Sequence, residues 1–93
     1  MYYRVTTYGF DASRFDEFLE LADSFRDELR YIKGLEMIHS CETDDGDGMI
    51  IARYDSEESA TAAQPKAREV LGQMAGFMTS QPEIKGGNVV WEL

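Results

Sequence analysis

With Cys41 as its only cysteine, the chain can form no intrachain disulfide and suits a reducing compartment. Basic residues are also scarce. Nine Lys and Arg stand against 18 Asp and Glu, for a formal net charge of −9. Such a surface repels phosphate backbones and anionic lipid headgroups, so neither nucleic acid nor membrane is an expected partner. Lys33, Lys66, Arg68 and Lys85 are scattered and form no basic stripe. No apolar run approaches the length of a membrane span. The first ten residues carry Arg4, Thr6 and Thr7 among their aromatics and do not read as a secretory signal. A cytoplasmic location is the expectation. There is no internal repeat or low-complexity stretch, and 43% hydrophobic residues exclude disorder over the whole length. Ninety-three residues make a single domain, 1–93, with a core small enough that a second subunit covering apolar surface would help it.

What is present falls into a regular order. Tyr2 to Tyr8 is rich in aromatic and β-branched residues and predicts a strand. Asp11 or Ser13 can cap a following helix, with Phe10 packing on Phe15 as a hydrophobic staple. Phe15, Phe18, Ala22, Phe25, Leu29 and Ile32 recur at spacings of three and four, one apolar helical stripe that Gly34 ends. Leu35 to Glu42 and Met49 to Tyr54 predict two strands joined through the polar turn Thr43 to Gly48. Asp55-Ser56-Glu57-Glu58 opens a second helical region, which Pro65 should kink or divide into two abutting segments. Pro82, Gly86 and Gly87 predict a loop, and Asn88 to Leu93 a last strand. The order β-α-β-β-α-β, with right-handed crossovers, predicts an α+β, ferredoxin-like fold with both helices on one face of a four-stranded antiparallel sheet.

A sheet covered on one side should alternate apolar and polar residues. These strands do not. Met49 and Ile51 point one way, and Ile50, Ala52 and Tyr54 the other. Two apolar faces need two covers, and the simplest second cover is another copy of the same sheet, giving a homodimer.

The segment from Gly34 to Ala60 resembles a known group. Gly34-Leu35-Glu36 opens a strand, a turn follows Glu42, and Ile50 to Tyr54 runs into the acidic, Ser-containing helix start Asp55 to Glu58. This is similar to the antibiotic-biosynthesis monooxygenase-like branch of the dimeric α/β-barrel superfamily. The resemblance implies a homodimer whose two sheets form a barrel, with a ligand cavity between sheet and helices in each subunit. It also implies activities such as cofactor-independent oxygenation of polycyclic phenols and quinols, haem degradation or small-molecule isomerisation. Haem-degrading relatives use an Asn in the first strand, with a Trp and a His around the second helix. Here the first strand offers Thr6 and Thr7, and the second helix has neither Trp nor His. That departure argues against haem, and no cofactor or metal is expected.

His39 is the only histidine and the side chain best suited to proton transfer near neutral pH. It is the candidate catalytic base, set against a purely structural His. Trp91, Tyr3, Arg53 and Tyr54 are candidate substrate-binding residues, set against ordinary packing and, for Arg53, pairing with an acid. The His39 assignment requires odd-numbered strand residues to face the helices. If even-numbered residues face them, Tyr54, Thr6 and Ser40 become the better candidates. The acidic turn Glu42 to Asp47 lacks the EF-hand order and reads as solvated. Cys41 and His39 alone do not make a zinc site or a clear nucleophilic pair. Two functions follow as expectations: a monooxygenase-like enzyme acting on a small aromatic or quinone-like metabolite, or a non-catalytic homodimeric module that binds a small molecule or a partner.

Overall fold

The computed structural model describes residues 1–93. Its elements run β1 (Tyr2–Gly9), α1 (Phe15–Ser24), α2 (Arg26–Arg30), β2 (Leu35–Asp44), β3 (Asp47–Tyr54), α3 (Glu57–Ala62), α4 (Gln64–Met74) and β4 (Glu83–Asn88). The four strands form one antiparallel sheet in the order β2-β3-β1-β4, with the helices on one side. This is the ferredoxin-like α+β arrangement. No helix is long and apolar enough to cross a membrane.

Local chemistry accounts for most boundaries. Asp11 accepts from the Ser13 amide at 3.1 Å, and the Phe10 and Phe15 rings meet with centroids 5.6 Å apart. Ser56 caps α3 by accepting from the Ser59 amide at 3.1 Å. Pro65 lies in the first turn of α4, where its missing N–H costs nothing, so the second helical region is indeed two abutting pieces. Gly34 adopts φ +84, a left-handed conformation that other residues enter only with strain. The first helical region is divided too, which the unbroken apolar stripe does not predict. At Phe25 the ladder tightens, its amide N–H donating to Ala22 O at 3.1 Å, and the Ser24 hydroxyl donates back to Leu21 O at 2.5 Å.

The last strand is the clearest correction. It spans Glu83–Asn88, not Asn88 to Leu93. Glu83 to Asn88 has little apolar character, and Gly86-Gly87 imitates a loop. Pairing overrides both signals, because Thr7 to Tyr2 of β1 offers a full ladder to Glu83 through Asn88. Gly86 has a packing reason as well: a Cβ there would sit 2.7 Å from Cζ of the Tyr2 ring lying across it. Val89 to Leu93 runs on past the sheet, with Val90 and Trp91 exposed. The hairpin is also tighter than the sequence implies, with only Asp45 and Gly46 between β2 and β3.

Residues paired across the ladders share a face. Tyr2, Thr6, Tyr8, Ala52 and Tyr54 are buried on the helix side. The core there is in two parts. One gathers Tyr8, Phe10, Phe18, Phe25, Val70 and Met74, and the other Tyr2, Ala52, Tyr54, Ala60 and Ala63. The open face carries Tyr3, Val5 and Thr7, then Met49, Ile51 and Arg53, then Met37, His39 and Cys41 from neighbouring strands.

Candidate functional site

The two parts of the core do not close against each other. Between them lies a cavity of about 140 Å³. Its floor is the even-numbered face of the sheet: Arg4 and Thr6 of β1, Ile50, Ala52 and Tyr54 of β3, and Ile38 and Ser40 of β2. Its roof comes from Ala22, Phe25 and Leu29 on one side and Ala67, Val70, Leu71 and Met74 on the other. Phe25, at the seam of the first helical region, and Leu29, in α2, both border this space. A shallower hollow, sharing Leu29, Leu35 and Ile38 with the cavity, adjoins it on the α2 and β2 side.

The lining is mainly apolar, with four polar side chains: Arg4, Thr6, Ser40 and Tyr54. Arg4 is the most constrained. It donates to Ala60 O at 3.1 Å, and the rings of Tyr2 and Tyr54 flank its guanidinium at 5.9 Å each. Its side chain makes no other hydrogen bond within the chain and has no carboxylate partner. Tyr54 is only 3% exposed. Burial pushes its phenol above the ordinary value, and the Arg4 charge pulls part of the way back. At neutral pH it is therefore a hydrogen-bond donor. No His, Asp or Glu lines the cavity, and no group of three or more His, Cys, Asp and Glu is placed to hold a metal ion.

The five residues singled out from the sequence do not form one site, although Tyr3 and Arg53 are cross-strand neighbours. Tyr54 lines the cavity. Tyr3, His39 and Arg53 lie on the opposite face of the sheet, where Arg53 pairs with Glu36 at 3.1 Å. His39 is exposed there, beside Ile51 in the ladder. Trp91 lies beyond β4 and is 74% exposed. Strand parity is the cause: the helices cover the even-numbered residues, which makes Thr6, Ser40 and Tyr54 the cavity residues and turns His39 away. Arg4 escaped the sequence reading altogether. Its signal was a lone cation between Tyr2 and Thr6 at an inward-facing position.

No family model matches the sequence, and no curated protein matches it either. Solved structures do match its fold. A monooxygenase from the gene ActVA-Orf6 of Streptomyces coelicolor, in complex with the ligand nanaomycin D, superimposes with a TM-score of 0.80 at 17% identity, covering 99% of this chain and 89% of that one. A Deinococcus radiodurans protein provisionally named an antibiotic biosynthesis monooxygenase also gives 0.80, at 12% identity over 100% and 96% of the two chains. A conserved protein from Methanosarcina mazei gives 0.78 at 14% identity over 94% and 91%. The chain thus has the fold shared by proteins named as antibiotic biosynthesis monooxygenases.

Proposed function

We propose that the cavity binds a small, single-ring phenol or quinol-like molecule and that the protein acts on it as a cofactor-independent monooxygenase. The observation that carries this reading is the pairing of a partly open apolar chamber with a carboxylate-free guanidinium anchored on Ala60 O and a protonated tyrosine in its wall. A chamber of about 140 Å³ is near the volume, roughly 150 Å³, of a protein cavity that takes up benzene. The positive charge of Arg4 favours an ionised hydroxyl, whose proton leaves to solvent, and Tyr54 donates to the same oxygen. The electron-rich anion then reduces dioxygen. The ring C–H carbon para to the hydroxyl becomes a carbonyl: one oxygen atom of dioxygen enters the product there, and the other leaves as water with that hydrogen and a proton equivalent to the one the hydroxyl lost. The substrate supplies all four electrons that dioxygen takes up. The likeness in fold to a nanaomycin-bound monooxygenase supports the reading.

Oxygen uptake with a panel of single-ring quinols, corrected for autoxidation, tests it. Uptake should exceed the buffer rate and fall at least tenfold in Arg4→Gln. A second reading, a binding module without catalysis, is favoured by the absence of any His, Asp or Glu from the cavity wall to accept a proton. Ligand binding with no acceleration of uptake for any probe would select it.

The same reading includes a homodimer. Val5, Met37, Met49 and Ile51 are only partly covered on the open face, and Val90 and Trp91 are exposed beyond the end of β4. Stacking two such faces would bury about 800 Å² per subunit if the interface is of ordinary size. Light scattering at micromolar concentration should give twice the chain mass, and Ile51→Glu should give a monomer. A monomeric parent protein would end the dimer proposal.

A further inference from the structure

Most cations of this acidic chain have a partner. Arg14, Arg26, Arg30, Arg53, Lys66 and Lys85 each stand against a carboxylate. Arg4, Arg68 and Lys33 do not, although acids outnumber bases 18 to 9. Two of these three, Arg4 and Arg68, line one hollow of about 240 Å³. It lies between α4 and the β1–β4 half of the sheet, and Gln64 and Ile84 complete its polar and apolar sides. Arg4, Ala67 and Leu71 belong to the walls of both this hollow and the cavity, so the two spaces adjoin through them.

An arginine carries five N–H donors in a planar fork, and Arg4 commits one of them, to Ala60 O. The Tyr2 and Tyr54 rings, each 5.9 Å from its guanidinium carbon, together with the Ala60 O bond favour one placement of the fork, which reduces the freedom lost when an acceptor arrives. A second guanidinium and a carboxamide in the same hollow suit a planar anion with two oxygens. On a surface whose net charge repels anions, two unpaired arginines make a local attractive spot.

We propose that this hollow is an anion subsite and that the ligand is a small aromatic carboxylate, its ring in the cavity and its carboxylate at Arg4, Arg68 and Gln64. The inference rests on the cavity being a binding site, and the experiment separates the two. Calorimetric titration of the full chain uses toluene, phenylacetate and its uncharged isostere phenylacetamide. Phenylacetate should bind at least tenfold more tightly than phenylacetamide. Arg68→Gln, on an exposed stretch of α4 with no ion pair to lose, should cut that preference at least threefold and leave toluene unchanged. Equal affinity for acid and amide, or a preference indifferent to Arg68→Gln, overturns the subsite while toluene binding keeps the cavity. Failure of all three probes to bind removes the cavity reading, and the subsite with it.

Discussion

Filling the cavity should make the protein more stable and unable to bind. Ala22 sits half-buried on α1 and lines the roof, and leucine there is nearly neutral for the helix. A void of about 140 Å³ costs roughly 24 cal/mol per Å³, so complete filling is worth at most about 3 kcal/mol. Leucine adds three carbons, worth about 2.4 kcal/mol if all are newly buried at roughly 0.8 kcal/mol each. Imperfect fit against Phe25 and Val70 takes some of this back. Ala22→Leu should therefore gain about 1–2 kcal/mol in urea denaturation, a rise of roughly 5–15 °C in Tm for a domain of this size. Toluene affinity should drop at least tenfold in the same variant. A destabilised protein would mean that the chamber is already filled or collapses without ligand. Unchanged toluene binding would mean that the ring does not sit beneath α1. Either result refutes the cavity argument at its base, before any chemistry is assayed.

Gly34→Ala should be costly, because the left-handed φ of +84 adds about 1–2 kcal/mol of strain. The new Cβ would also fall 2.5 Å from Ser59 Cβ at the start of α3. A loss of about 2–4 kcal/mol in urea denaturation is expected, with Ser59→Gly restoring the steric share in a double-mutant cycle; a loss below about 1 kcal/mol would contradict the packing described. Tyr54 should ionise above the ordinary phenol range because of burial. Its folded pKa being the higher one, its contribution is fully present below the unfolded value of about 10 and is lost as pH rises through the folded value. Arg4→Gln removes the opposing charge and should move the Tyr54 absorbance transition higher still; a shift downward would show that the two side chains are not neighbours.

How legible the molecule was depended on which signals were local. Capping at Asp11 and Ser56, the left-handed glycine at 34 and the division at Pro65 are written in the residues themselves, and the element order follows from them. β4 was not legible, because Glu83 to Asn88 has no strand character of its own and owes its conformation to the edge of β1. Which face of the sheet borders the cavity was hidden for a related reason. Both faces of β3 are apolar, so period-two alternation could not say which of them the helices cover. That single bit of parity separates His39 from Ser40 and conceals Arg4. The seam at Phe25 was hidden as well, since an apolar stripe continues straight across a break in the hydrogen-bond ladder.

That seam separates two jobs which a continuous helix would join. Leu29 belongs to a five-residue piece and borders the chamber, whereas strand register is set by the ladders of the sheet. A substitution at Leu29 therefore reshapes the wall of the chamber at a position that takes no part in pairing the strands.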